Sequence, residues 1–188
     1  MGRVNAFNLC DGIDGLAGSL ALVALLGLGG GIFLNLWLSR PETAPTPQAQ
    51  TDHRPEFTLT DLKGTSRSIS EWDGKVILVN FWATWCPPCV RELPAFIQLY
   101  ETYQDKGFTI IGVALDNKQD VIDFVDPMGV KYPILLGDQK GIKLTQEYGN
   151  RLGVLPYTVV IDRNGRIVER HRNEMSYEEA EALIKPLL

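Results

Sequence analysis

Histidine occurs only twice and cysteine only three times in the 188 residues of this chain. Three cysteines are too few to staple a disulfide mini-protein. With His53 and His171 as the only histidines, they also argue against a zinc site of ordinary ligand count. No basic run is present: 18 Lys and Arg face 23 Asp and Glu, a net charge of −5. That balance argues against a nucleic-acid surface. No self-similar segment returns at a period of roughly 20–50 residues, which excludes a solenoid.

Charge is missing altogether from one long stretch. Leu16 to Leu38 holds no Asp, Glu, Lys or Arg. As a helix rising ~1.5 Å per residue it would be about 35 Å long, enough to cross a bilayer. Its several glycines suit a membrane span better than a soluble helix, and Trp37 sits where an interfacial aromatic belongs. A cleaved signal peptide is the alternative. The run exceeds the ~7–15 residues of a signal core and no A-x-A site follows it, so a retained anchor is expected. Arg3 lies before the span and Arg40 and Arg54 lie after it, so the positive-inside rule hardly orients it. The chain thus divides into a flank (1–15), a transmembrane anchor (16–38), a Pro/Thr/Gln-rich linker (39–55) and a domain (56–188).

The domain alternates strand and helix signals. Phe57–Leu59 and Ser68-Ile69 flank a turn at Asp61-Leu62-Lys63-Gly64. Lys75–Trp82 is a continuous apolar run, as a central strand requires. The periodicity predicts a helix over about Pro88–Gln104, with Val90, Leu93, Phe96, Ile97 and Tyr100 at helical spacing. It then predicts a strand at Phe108–Leu115, a helix at Lys118–Val125, a strand at Tyr132–Leu136 and a helix at Ile142–Tyr148. Tyr157–Asp162 and Arg166–His171 form a hairpin around Asp162-Arg163-Asn164-Gly165. Ser176–Leu187 closes as a helix with Ser176 as N-cap and Glu179 completing a capping box. The pattern implies an α/β domain with a central mixed sheet flanked by helices on both faces.

The chemistry centres on Cys86-Pro87-Pro88-Cys89, at the junction of a buried strand and a helix. This spacing places the two sulfurs within disulfide reach. Cys86 falls at the helix N-terminus, where unpaired N–H groups and the helix dipole stabilise a thiolate. Pro87 and Pro88 suit the first turn, where a missing N–H costs nothing. Cys89 is expected deeper and able to attack only after Cys86 has formed a mixed disulfide. Half a zinc knuckle is the competing reading, but it needs a second ligand pair, and the remaining cysteine, Cys10, lies beyond the span.

The string Asn80-Phe81-Trp82-Ala83-Thr84-Trp85-Cys86-Pro87-Pro88-Cys89, followed by Glu92-Leu93-Pro94, resembles the thioredoxin-like family. It is most similar to the membrane-anchored TlpA/ResA/DsbE-type thiol–disulfide oxidoreductases, over about residues 55–188. The resemblance implies a thioredoxin fold with an N-terminal transmembrane helix, facing the periplasm or outer cell surface. It implies reduction of protein disulfides, often those of apocytochromes c, with electrons relayed by a membrane donor from cytosolic thioredoxin. No cofactor beyond the Cys86–Cys89 couple and no metal is implied. It puts a cis-proline at Pro156, with Leu155 presenting its backbone to an extended substrate. Trp85 and Pro87 are the other expected substrate contacts, and Trp82 and Trp85 are expected to pack over and shield the dithiol. Tyr148-Gly149 lies further before Pro156 than the family's Tyr-Gly-Val-x-x-x-Pro spacing, which departs from the pattern. Glu92, three residues after Cys89, shares its helix face, and the resemblance links an acid there to thiol proton transfer. A solvated helix glutamate is the plainer alternative. Where thioredoxin itself carries a buried Asp, this chain has Asn80, so a base would have to be Glu92 or water. His171 is taken as a strand residue.

The segment Asn5–Gly18 resembles the NAxNxxDGxDGLA motif of polyprenyl-phosphate sugar-phosphate transferases (MraY/WecA-like). The many membrane helices completing such a site are absent, and two aspartates cannot hold Mg²⁺ with both substrates. The expectation is a fragment serving as anchor, without transferase activity. Cys10 would lie across the membrane from Cys86 and could not pair with it.

Other activities stay open at this stage. An oxidase or isomerase would use the same dithiol in the other direction. A thiol peroxidase needs Thr three residues before its cysteine, where this chain has Ala83. A tethered binding module, such as a thiol-based haem or copper chaperone, is the non-enzymatic alternative, and Cys89→Ser would leave its binding partly intact if one sulfur suffices.

Overall fold

The computed structural model describes residues 53–188. The flank, the 16–38 span, the transferase-like segment, Cys10 and the linker up to residue 52 lie outside the described residues. No helix among the described residues is long and apolar enough to cross a membrane.

Seven strands build one sheet: β1 (Thr58–Asp61), β2 (Ser66–Ser68), β3 (Val76–Trp82), β4 (Phe108–Ala114), β5 (Ile134–Leu136), β6 (Tyr157–Ile161) and β7 (Ile167–Arg172). Their spatial order is β2-β1-β5-β4-β3-β6-β7. β3, β4 and β5 run parallel, and every other pairing is antiparallel. Among the described residues the α-helices are α1 (Pro87–Tyr103), α2 (Lys118–Met128), α3 (Asp138–Glu147) and α4 (Tyr177–Ile184).

β3 and β4 are buried at all seven positions each, as parallel strands covered on both faces must be. Alternation then divides β3 between two cores. Leu78 and Trp82 face one cluster, with Leu93, Phe96 and Leu99 of α1, Val121 and Val125 of α2, and Ala180 and Ile184 of α4. Ile77, Val79 and Phe81 face the other, with Leu144 of α3, Tyr148, and Ile69 and Trp72 of a short 3₁₀ turn. Period two puts Asn80 on the α1 side, and that one fact positions much of the site.

The hairpins and helices stand where the patterns place them, with shifted ends. α3 starts at Asp138 rather than Ile142, because Gly141 is an interior helix residue closely packed under Leu115 and not a boundary. α2 runs three residues past Val125 and stops at Gly129, whose φ of 69° ends it in the left-handed region. β5 omits Tyr132 and Pro133. Ser176 caps α4 by accepting from Glu179 N–H at 3.2 Å, and the Glu179 carboxylate returns to Ser176 N–H at 2.8 Å. The domain is fastened from His53 rather than residue 56. Arg54 is buried, its N–H reaches Gly165 O at 2.9 Å, and its guanidinium pairs with Asp73 and Glu56.

Candidate dithiol–disulfide site

β3 ends at Trp82, the chain turns through Ala83–Trp85, and α1 begins at Pro87 with Cys86 as its N-cap. The turn is held by the end of β4. Leu115 N–H donates to Trp82 O at 2.8 Å, and the Asp116 carboxylate accepts from Thr84 N–H at 3.2 Å and Thr84 Oγ1 at 2.5 Å. Cys86 and Cys89 form a disulfide, S–S 2.11 Å, with Cα atoms 5.3 Å apart. Cys86 is 4% exposed and Cys89 is fully enclosed, so an incoming sulfur reaches Cys86 first.

Two prolines in the first turn thin out its donors. Pro87 and Pro88 have no N–H, and Val90 N–H is bonded to Cys86 O at 3.1 Å. Cys89 N–H is then the first-turn donor placed to face an N-cap side chain. In the disulfide form Cys86 makes no side-chain cap bond.

Glu92 is not a solvated helix residue: it is 1% exposed, one turn beyond Cys89. Asn80 Nδ2 donates to its Oε1 at 2.8 Å, and Met175 N–H donates to its Oε2 at 3.1 Å. Burial is the largest influence and pushes the carboxyl up to about 8, against the two N–H donors, which favour the charged form. Glu174, itself paired with Arg91 at 2.6 Å, adds a smaller upward push. Tyr132, deeply buried on the same side, is pushed well above the ordinary phenol range by burial first and by the Glu92 charge second.

The Leu155–Pro156 peptide is cis, as the resemblance implied. β6 pairs with β3 up to Tyr157 opposite Phe81, so Pro156 stands beside the turn that delivers Cys86. Among the described residues, no backbone hydrogen bond uses Leu155 N–H or C=O. The longer loop before it is clamped by Asn150, fully buried, which donates to Val154 O at 2.8 Å and accepts from Val154 N–H at 3.2 Å. Tyr157 Oη donates to Tyr148 O at 2.9 Å and closes the same loop. The two extra residues leave Leu152 81% exposed and Val154 exposed.

Trp82 and Trp85 part company. Trp82 is enclosed in the core, whereas Trp85 is 66% exposed. Trp85, in the turn before the helix, and Pro87, at its start, are both exposed on either side of Cys86 in sequence. His171 is in β7 as expected. Sequence reasoning missed Asp116, Thr158, Asn173 and Met175. The first two carry no motif, and the others act through backbone groups, which leave no trace in residue type. Among the described residues, no group of three or more His, Cys, Asp or Glu is arranged to hold a metal.

A redoxin family profile matches residues 49–184. The thiol-disulfide oxidoreductase ResA of Bacillus thuringiensis (strain Al Hakam) is 36% identical over 134 residues, covering 71% of this chain and 75% of its own. ResA of Halalkalibacterium halodurans is 36% identical over 172 residues, covering 89% of this chain and 93% of its own. A crystal structure of a thiol:disulfide interchange protein of the thioredoxin family from Chlorobium tepidum superposes with a TM-score of 0.66 at 28% identity, over 72% of this chain and 94% of that one.

Proposed function

The chain belongs to the redoxin family, among its ResA-like thiol–disulfide oxidoreductases, and from that premise we propose that it reduces disulfides in substrate proteins while anchored in a membrane by residues 16–38. One observation carries this reading: a Cys86–Cys89 couple at a helix N-terminus with the buried Glu92 carboxyl one turn behind it.

The reaction follows from the geometry. The Cys86 thiolate, favoured by the helix terminus and by the Cys89 N–H, attacks one sulfur of a substrate disulfide. That S–S bond breaks, the leaving sulfur departs as a thiolate and takes up a proton, and a mixed disulfide joins Cys86 to the substrate. Cys89 gives its proton to the Glu92 carboxylate, directly or through one water. Its thiolate attacks Cys86 Sγ, closing the Cys86–Cys89 bond and releasing the second substrate thiol. Burial raises the Glu92 carboxyl to about 8, out of the ordinary carboxylate range and towards the range in which thiols ionise, as a proton acceptor for a thiol requires. Two electrons have passed to the substrate, so a donor dithiol must return two. A membrane relay from cytosolic thioredoxin fits an anchored chain.

Leu155, with its backbone groups unbonded, is the edge on which an extended substrate segment adds as a strand beside Pro156. Trp85 and Pro87 supply the apolar contact. The catalytic domain faces the periplasm or outer surface, where disulfides persist. An apocytochrome c, whose C-x-x-C-H cysteines need to be reduced before haem attaches, is the substrate class this reading favours.

The reduction potential of the couple in the purified full chain tests the direction. A value near or below about −230 mV is expected of a reductase. A value nearer about −120 mV would make the protein an oxidant and end the reductase reading.

A further inference from the structure

Both oxygens of the Glu92 carboxyl are tied, each through one intermediary, to the short stretch Pro156–Thr158. The Asn80 amide that donates to Oε1 also donates to Thr158 Oγ1 at 3.1 Å, across the β3–β6 pairing in which the two residues stand opposite each other. Asn80 and Thr158 are both buried, so neither bond competes with water. The Met175 N–H that donates to Oε2 belongs to the loop leaving β7. That loop turns at Asn173, whose φ of 103° is the left-handed backbone that favours glycine, and Asn173 N–H donates to Pro156 O at 3.3 Å. Met175 itself is buried in the cluster that holds Cys86 and Cys89. One link thus runs from Thr158 in β6 and the other from Pro156, two residues earlier and next to Leu155, where the substrate adds in the reading above.

We propose that Thr158 and Asn173 are positioning residues that fasten the two oxygens of the Glu92 carboxyl to the Pro156–Thr158 segment, so that the proton acceptor and the substrate-binding edge form one rigid unit. Neither residue touches the reacting sulfurs; each acts through a donor to Glu92. The inference rests on Glu92 being the acceptor for the Cys89 proton. The charged and titratable groups facing Glu92 are Cys89 on α1, Tyr132 before β5, and Glu174 with its partner Arg91; none of them is altered by changing Thr158 or Asn173.

The test is a pH titration of the Glu92 carboxyl carbon by NMR in the full chain, held in detergent micelles and labelled at glutamate carboxyls. The Glu92→Gln chain identifies the resonance by its loss. Thr158→Val keeps shape and removes the acceptor that orients the Asn80 amide. The midpoint, near 8 in the parent, is expected to rise by roughly half a pH unit or more, and Thr158→Ser should restore it. Asn173→Val cannot adopt the left-handed backbone and should withdraw the Met175 N–H, again raising the midpoint, whereas Asn173→Gly should not. Asn173 is exposed, so this pair remains informative if Thr158→Val fails to fold. Unchanged midpoints in Thr158→Val and Asn173→Val would overturn the proposal. The pH profile of Cys86–Cys89 closure in Glu92→Gln separates the two ideas: an unchanged profile there would remove Glu92 as acceptor, whatever the titrations show.

Discussion

At Glu92 two effects oppose each other. Two N–H donors favour the carboxylate, and enclosure favours the neutral acid; enclosure wins, so the group titrates near 8. The sign for stability follows. In the unfolded chain the group ionises near 4.5, so between about 4.5 and 8 the folded state holds the extra proton. The stability it allows is complete below the lower value and is lost as pH rises through the upper one. At about 1.4 kcal/mol per pH unit, the loss by pH 8 reaches a few kcal/mol. Glu92→Gln in the oxidised protein is therefore expected to gain stability over the parent as pH rises from 5 to 8, in denaturant melts at several pH values. A gain that stays flat with pH would contradict the buried-acid reading. The sulfurs give a sharper test. Cys89→Ser should accumulate a mixed disulfide with substrate through Cys86, seen by mass spectrometry of alkylated samples, while Cys86→Ser should form none. Accumulation in Cys86→Ser instead would reverse the two roles.

Among the elements, α4 and β4 bear on the site most directly. α4 begins at a capping box one residue after Met175, so its start helps fix the N–H on Glu92. Ser176→Ala removes the cap and should cost about 1 kcal/mol, read as a lower thermal midpoint. In β4, Gly112 leaves room for its neighbours. A Cβ there would sit 2.6 Å from Ile134 Cδ1, 3.2 Å from Trp82 Nε1 and 3.3 Å from Tyr132 Cε2. Gly112→Ala should overpack this corner and destabilise by about 1–3 kcal/mol in chemical denaturation. An unchanged midpoint would mean that Ile134 swings aside at no cost.

The whole domain starts earlier than its composition suggests. A Pro-rich, polar stretch up to residue 55 reads as linker, yet Arg54 is buried against Asp73 and Gly165, and Pro55 O accepts from Tyr148 Oη at 2.9 Å. A chain beginning at residue 57 should be less stable than one beginning at 53 by roughly 2–4 kcal/mol, measured by urea unfolding. Equal stabilities would show that these bonds only replace bonds to water.

The local order of the chain was open to reading from residues alone. Apolar runs at β3 and β4, the Asp-Arg-Asn-Gly turn before β7, the capping box at Ser176 and the proline-bearing C-x-x-C are short-range signals, and each acts over a few residues. They were enough to place Cys86 at a helix N-terminus and Pro156 at the start of a strand. Burial and partnership were not open in the same way. Glu92, Trp85 and Arg54 could each have been solvated or enclosed, because which side chain meets water depends on segments distant in sequence: Glu92 meets Asn80 and Met175, and Arg54 meets Asp73 and Gly165. Helix spacing put Glu92 on the face of Cys89, but its raised proton affinity comes from enclosure by the packed core, and the donors that oppose it come from Asn80 on β3 and from the backbone of Met175 beyond the last hairpin. A main-chain N–H is the same at every non-proline residue, so only the folded path of the chain could aim that one at the carboxyl.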